Sequence, residues 1–295
     1  MISFIIPNRG GKNIKFVSDR LRELYKDCEI IVVTQDDEAP FARGQLFNIG
    51  YRYATNEYMC FIDNDMFFPK YIDLEGLYKK KKCMALQPFE TIIQVEITGE
   101  NTYTKKSSAK KIPMAKGGAT FISKENFRKA NGMSNLYIGW GREDNEFDKR
   151  VKCIADIKEN ICHIEHPRRL QLNRKNSLLN MEYYDTADKR DSSKDGYNDT
   201  LYDLVSNTVS DGIRYVNVKN VRVSEGFPYK ELFDKHFSKK SMKNLDFHDM
   251  LLKEIGKHVA SKYVLIGVPK HMNLGDTLIW EAEVQILDKI KAKRL

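Results

Sequence analysis

Two aspartates separated by one residue, Asp63 and Asp65, directly follow the apolar run at 58–62. Carboxylates crowded at the end of a buried strand repel each other and lose hydration, and a bound cation relieves both costs. Their hard oxygen atoms suit Mg²⁺ or Mn²⁺, ions that keep coordination positions for substrate phosphates. The same aspartates are also typical of a solvated turn, so the pair alone leaves both interpretations open.

A second cluster lies at 137–144, where Trp140 stands between two glycines and Glu143 and Asp144 follow. A tryptophan face can stack on a sugar ring, and a neighbouring carboxylate can accept a hydroxyl proton. The alternative is structural, because acidic residues also complement the dipole at a helix N-terminus.

A third cluster contains His163 and His166, whose imidazoles are good ligands for Mn²⁺ and similar ions. Residues three apart on a strand face opposite sides, so we expect only one of the two to meet a metal. A purely structural role for both histidines is the alternative.

The elements that must position these residues alternate between strands and helices. This alternation predicts parallel βαβ units in an α/β sheet, with ligands beyond the carboxyl ends of the strands. The polar segment at 98–111 predicts a mobile loop that could close over a ligand. Strands are expected near 4–6, 29–34, 58–62 and 117–122, and helices near 13–25, 44–54, 124–130 and 143–152.

Composition excludes several classes of protein. The 295 residues are 41% hydrophobic, and no apolar run approaches the roughly 18 residues of a membrane-spanning helix. The five cysteines are scattered without a CxxC pair, and with no signal peptide apparent we expect reduced thiols and a cytoplasmic protein. The net charge of +8 permits an anionic partner, but without a zinc finger or aromatic RNA-binding motif we expect no nucleic acid.

Taken together and in this order, the motifs resemble those of the β1,4-galactosyltransferase family and of related bacterial capsule-type glycosyltransferases. The resemblance covers residues 1–170. Two departures are Ala42 in place of the usual asparagine and Arg142 in place of a glycine. The matching segments are 5–9, 41–50, 61–65, the glycine pair 117–118 and the element 139–144, followed by one of the two histidines.

The resemblance implies a GT-A fold, α/β with a mixed, mostly parallel central sheet. The Lys-rich pattern at 229–258 separately predicts a helical C-terminal appendage. The resemblance also implies metal-dependent, inverting transfer of a hexose or N-acetylhexosamine of the Gal/GalNAc type, from a UDP-sugar to a glycan hydroxyl in surface polysaccharide synthesis. Asp144 would be the general base and Glu143 would bind the acceptor. The implied Mn²⁺ (or Mg²⁺) ligands are Asp63, Asp65 and His163 or His166, and the implied substrate-binding residues are Pro7, Arg9, Arg43, Asp63, Asn64, Gly117, Gly118, Trp140 and Gly141.

The expected organisation is a GT-A domain at 1–187, a linker and helical appendage at 188–262, and a βα unit at 263–295. That last segment resembles the start of a polysaccharide pyruvyltransferase domain, which would be truncated here. The acceptor is expected to be a glycan or a lipid-linked glycan, with peripheral contact at the inner face of the cell membrane.

Two other functions remain open from the sequence. A nucleotidyltransferase that activates a sugar phosphate also places carboxylates and a metal at sheet ends, and it would release pyrophosphate rather than UDP. A non-catalytic carbohydrate- or polyanion-binding module would use the +8 charge, and its binding would fall steeply with salt.

Overall fold

The computed structural model describes residues 1–107, 110–111, 117–139, 141–154, 157–166, 180, 183–184 and 195–223. All of these lie in one compact unit formed by Met1–Pro167 and Asn176–Phe233. In this part of the chain, no helix is long and apolar enough to cross a membrane.

The unit contains strands and helices in alternation along its first half. The strands are β1 (Ile2–Asn8), β2 (Glu29–Gln35), β3 (Tyr58–Ile62), β4 (Met66–Phe67), β5 (Ala85–Leu86), β6 (Thr91–Gly99), β7 (Thr102–Lys105), β8 (Lys110–Lys111), β9 (Ala119–Ser123), β10 (Asn160–Ile164), β11 (Thr200–Ser210) and β12 (Ile213–Val223). The helices are α1 (Ile14–Leu24), α2 (Arg43–Tyr53), α3 (Leu74–Lys81), α4 (Lys124–Lys129) and α5 (Glu143–Val151).

The central sheet has seven strands in the order β11-β12-β2-β1-β3-β9-β5. Its four inner strands, from β12 to β3, are parallel, whereas β11, β9 and β5 pair antiparallel to their neighbours. The predicted mixed α/β sheet is confirmed. β1 is buried along its whole length, as its largely apolar sequence predicts.

Two hydrophobic cores cover the two faces of this sheet. One contains Phe4 and Ile6 of β1 with the buried face of α1, including Val17. The other contains Ile5 of β1 with α2, α4 and α5, including Phe47. Alternate residues of β1 therefore enter opposite cores, and the sheet becomes a rigid platform whose strand ends carry the polar residues.

A second sheet has the order β4-β10-β6-β7, with β8 also paired to β6. Here the expectation of a mobile loop at 98–111 is wrong in its described part. β6 runs to Gly99, and β7 pairs back on it from Thr102. The segment is polar because the hairpin faces solvent, since most of its side chains are exposed or half-buried.

The predicted boundary at residue 187 also needs correction. The described part of the 188–262 segment contains the β11–β12 hairpin, and β12 adds to the central sheet beside β2. Val216 and Val218 of β12 are fully buried. Asp195, predicted to lie in an exposed linker, is buried and accepts hydrogen bonds from the Ser134 hydroxyl and the Asn135 amide. The rest of the predicted appendage and the βα unit at 263–295 lie outside the described residues.

Candidate active site

The first polar cluster lies where β3 ends, at the carboxyl edge of the parallel strands. The backbone N–H of Asp63 donates to the carbonyl of Gly118 (3.0 Å). The Asn64 side chain donates to Oδ1 of Asn8 (3.0 Å), which also accepts from the Gly11 amide. These bonds fix the turn, and Asp65 leads directly into β4 and therefore into the second sheet.

Asp65 faces both histidines of the third cluster. Its Oδ2 lies 3.5 Å from Nε2 of His163 and 3.1 Å from Nε2 of His166. Both histidines lie beside Asp65, although strand alternation predicted only one there, because β10 ends at Ile164 and His166 lies beyond the strand. The three ligand atoms lie within 4.8 Å of one another, so one carboxylate and two imidazoles fit a divalent metal such as Mn²⁺.

The charge state of the Asp65 carboxyl also suits metal binding. Its burial alone would raise its pKa, but hydrogen bonds and charge from His163 and His166 outweigh that effect and lower the pKa below its usual range. The carboxyl is therefore ionised at neutral pH. Asp63, predicted as a second ligand, is not part of this group of ligand atoms and is paired with an arginine instead.

That arginine is Arg43, the first residue of α2. Its Nε donates to Oδ1 of Asp63 (2.6 Å), and its Nη1 donates to Oδ1 of Asp144 (2.7 Å) and Oε1 of Glu143 (3.3 Å). The guanidinium also lies over the ring of Phe47, 4.8 Å from its centre. Arg43 thus links the turn after β3 to the start of α5. Its side chain is only 11% exposed, so these ion pairs are poorly solvated.

The cluster holds more negative than positive charge. Burial raises the pKa of Asp63 to about 6, against the opposing charge of Arg43. Burial, reinforced by the charge of Asp144, raises the pKa of Glu143 to about 7. The carboxylates in turn hold the pKa of Arg43 well above its usual range despite its burial. Oε2 of Glu143 is buried, and no described residue donates a hydrogen bond to it.

Glycines make room for these carboxylates. Gly117 has φ +96°, and a Cβ placed on it would lie 2.0 Å from Oδ2 of Asp144. Gly118 has φ +83°, and its Cβ would lie 2.6 Å from Sδ of Met66. Both positions therefore require glycine for backbone conformation and for space. A recess beside them is lined by Gln87, Gly117, Thr120, Asp144, Phe147, Asp148 and Cys153.

The remaining predicted residues lie around this centre. Pro7 is buried in β1 and pairs with Val33 of β2. Arg9 donates to the carbonyl of Ala39 and lies 5.3 Å from the ring centre of Phe41. Burial lowers the pKa of Arg9.

The glycine-rich segment before α5 docks on the start of the α2 segment. The Gly139 amide donates to the Phe41 carbonyl (2.8 Å), and Gly141 has φ +103°. Arg142 also has a left-handed backbone, φ +75°, and lies over the ring of Tyr184. Glu143 and Asp144 occupy the first turn of α5, where they complement the helix dipole, and this position is compatible with the functional interpretation as well. Trp140 lies outside the described residues.

Two site residues escaped the sequence analysis. Asn8 supports the Asp63–Asp65 turn, and its position at the end of β1 was a usable signal. Oε1 of Gln94 accepts a hydrogen bond from Nδ1 of His163 (2.8 Å). It belongs to β6, a strand that the sequence did not predict, so no motif pointed to it.

Comparisons with known proteins find similarity to galactosyltransferases. A family model described as the N-terminal domain of galactosyltransferase matches residues 101–170. β-1,4-Galactosyltransferase 4 of Homo sapiens is 31% identical over 160 residues, 51% of this chain and 42% of the relative. A β-1,4-N-acetylglucosaminyltransferase of Lymnaea stagnalis is 34% identical over 128 residues, 42% of this chain and 24% of the relative. The chain thus spans less than half the length of these curated relatives.

Solved structures extend the likeness in fold. A mutant of Drosophila β1,4-galactosyltransferase 7, in complex with manganese, UDP-Gal and xylobiose, aligns with a TM-score of 0.55 and 19% identity. The alignment covers 79% of this chain and 98% of that one. The chain therefore has the GT-A fold. Within that class, the chain is similar to the β1,4-galactosyltransferases. These comparisons give no support to a pyruvyltransferase segment, and the relatives named are animal proteins.

Proposed function

We propose that this chain is a metal-dependent glycosyltransferase that moves a hexose or N-acetylhexosamine from a UDP-sugar to a glycan hydroxyl, with inversion. One juxtaposition carries the proposal. Asp65 of the Asp65–His163–His166 group is two positions along the chain from Asp63, and Asp63 shares Arg43 with Asp144. The similarity to galactosyltransferases supports the same reaction class.

Asp65, His163 and His166 are the residues that would hold Mn²⁺. A divalent ion bound there supplies positive charge to the diphosphate that departs as UDP. The solved structure of the Drosophila relative contains manganese and UDP-Gal, which supports this choice of ion and donor. Arg43 places a positive charge between Asp63 and Asp144. The two carboxylates can therefore lie close together with less mutual repulsion.

Asp144 is the base in this proposal. Nη1 of Arg43 fixes one of its oxygens, and the absence of a side chain on Gly117 leaves room for the other. The carboxylate takes the proton of the acceptor hydroxyl while that oxygen bonds to the anomeric carbon and the bond to UDP breaks. Glu143 holds a further acceptor hydroxyl, because its buried Oε2 has no donor among the described residues.

The finer parts of the proposal concern the cellular role. We place the reaction in surface polysaccharide synthesis, at the cytoplasmic side of the membrane, with a glycan or lipid-linked glycan as acceptor. A net charge of +8 supports contact with an acidic membrane face, and the five cysteines are all free, as a reducing compartment requires.

Asp144→Asn tests the base. The amide keeps the shape of the side chain but cannot accept the hydroxyl proton, so we expect kcat to fall about 10²–10⁴-fold. Binding of UDP and Mn²⁺, measured by calorimetry, should change little. Asp19→Asn is the matched control, because Asp19 makes only an exposed pair with Lys15. Turnover of Asp144→Asn within a few-fold of the unmodified protein would refute the base assignment.

The proposal as a whole is tested with a panel of UDP-sugars, with and without Mn²⁺. Release of UDP that depends on the metal supports it. Release of pyrophosphate from a sugar phosphate and UTP would identify a nucleotidyltransferase instead. Absence of both turnover and binding across the panel would refute the proposed function.

A further inference from the structure

His163 has a hydrogen-bond partner on the ring nitrogen that faces away from Asp65. Nδ1 of His163 lies 2.8 Å from Oε1 of Gln94. We propose that Gln94 is a positioning residue that fixes the ring and the tautomer of His163, so that Nε2 presents its lone pair to a divalent metal. This inference rests on the metal site of the proposed function.

The chemistry of the two side chains decides the tautomer. Oε1 of an amide can only accept a hydrogen bond, so Nδ1 of His163 must carry the proton that is shared with it. A neutral imidazole with its proton on Nδ1 has a bare Nε2. That nitrogen is the atom that lies 3.5 Å from Oδ2 of Asp65, inside the ligand group.

Strand register places the two side chains beside each other. β6 and β10 pair in parallel, with His163 directly opposite Gln94. The neighbours of Gln94 along β6 are buried, Ile93 at 5% exposure and Val95 at 0%, which anchors the strand. The Ile164 amide donates to the carbonyl of Asp65 (2.8 Å), so the same strand that carries His163 also holds the opposing ligand.

Gln94 also influences the second histidine. The ring of His166 lies edge-on to that of His163, with 5.3 Å between their centres. His166 lies beyond the end of β10 and has no strand register of its own. A fixed His163 ring therefore supplies one wall against which His166 packs.

If the Gln94 side chain only helped to hold the second sheet together, its loss would have a different measurable effect. Five residue pairs already join β6 to β10 through the backbone, so loss of one side-chain bond should cost only about 1 kcal/mol of stability. Loss of a partner behind a metal-bound histidine instead typically costs about 10–100-fold in metal affinity. Metal affinity and tautomer thus separate the two roles.

The experiment compares Gln94→Met with Gln94→Glu in the full chain, with Mn²⁺ alone as the titrant. Methionine keeps the length of the side chain but lacks a strong acceptor, so we expect Mn²⁺ affinity to fall about 10–100-fold by calorimetry or EPR. Glutamate keeps an acceptor and should bind Mn²⁺ within a few-fold of the unmodified protein. Glu96→Gln is the matched control, because Glu96 lies two residues along β6, is 54% exposed and pairs with Lys106.

A second measurement needs no variant. ¹⁵N NMR of the metal-free, unmodified protein at pH 8 should show a proton on Nδ1 of His163. The absence of a proton on Nδ1 would overturn the proposal, as would unchanged Mn²⁺ affinity in Gln94→Met, or a loss in Gln94→Glu as large as in Gln94→Met.

Failure here is distinguishable from failure of the proposed function, because titration with Mn²⁺ requires no sugar transfer. If Gln94→Met weakens metal binding but no UDP-sugar is used, only the proposed function fails. If transfer is observed and Gln94→Met binds Mn²⁺ normally, only the role of Gln94 fails. If the unmodified chain does not bind Mn²⁺, both fail.

Discussion

Arg43 illustrates what single residues in a sequence do and do not disclose. The family resemblance implied that Arg43 is a substrate-binding residue. In the structure its guanidinium is shared by Asp63, Glu143 and Asp144. The residue types indicated a possible chemistry, because carboxylates and imidazoles are metal ligands and proton acceptors, although each cluster also had a structural interpretation. The partners could not be predicted, because they lie 20 to 101 positions apart along the chain.

The burial of Glu143 beside Asp144 predicts an effect of pH on stability that Glu143→Gln should remove. Burial raises the pKa of Glu143 from its usual value of 4.5 to about 7, so the folded protein binds this proton more tightly than the unfolded chain. The contribution to stability is therefore complete below pH 4.5 and is lost as the pH rises towards 7. Relative to Glu143→Gln, the unmodified protein should lose up to about 3 kcal/mol over this range.

Urea denaturation at several pH values measures this difference. Glu125→Gln serves as the control, because Glu125 lies on the surface of α4 and its salt bridge lowers its pKa instead. If unmodified protein and Glu143→Gln keep a constant difference in stability from pH 4.5 to 7, the proton is not held at Glu143.

Elements were predictable where burial imposes a pattern and were missed where the chain faces solvent. β1, β2 and β3 were expected because strands covered on both faces are continuously apolar. The hairpin of β11 and β12 was missed because much of β11 is exposed and polar. One signal was present: Asp211 and Gly212 form its turn with φ +50° and +69°, and Asp-Gly is a typical hairpin turn.

This hairpin should be part of the cooperative unit, which Val216→Ala tests. Val216 is fully buried against β2 and α2, so losing two methyl groups should cost about 2 kcal/mol including the cavity. Val209→Ala in β11 is the matched control, because Val209 is 62% exposed and should change stability by less than about 0.5 kcal/mol. Both variants lose the same strand propensity, so their difference reports burial. A normal urea midpoint for Val216→Ala would mean that the hairpin is a dispensable appendage.

Within the described unit, the Asp65–His163–His166 group lies where the two sheets meet. Asp65 follows β3 of the central sheet and precedes β4, whereas His163 lies in β10 of the second sheet. A backbone hydrogen bond from the Ile164 amide to the Asp65 carbonyl links the two segments. The sequence could supply the ligand types but not this arrangement, because the second sheet consists of short or solvent-facing strands with weak patterns. A ligand that bridges two sheets must be lost when either sheet unfolds.

Mn²⁺ should therefore stabilise the unit as a whole rather than one loop. At a free concentration 100 times Kd, it should add about 2.7 kcal/mol to the free energy of unfolding, because the metal binds only the folded protein. Thermal unfolding followed by far-UV circular dichroism should show one transition moving to higher temperature.

Asp65→Ala should abolish this shift in the unfolding temperature, because it removes the carboxylate that faces both histidines. Asp63→Asn should keep most of the shift, because Asp63 pairs with Arg43 and lies outside the group of ligand atoms. An equal loss in both variants would instead make Asp63 a ligand, and a shift that survives in Asp65→Ala would place the metal elsewhere.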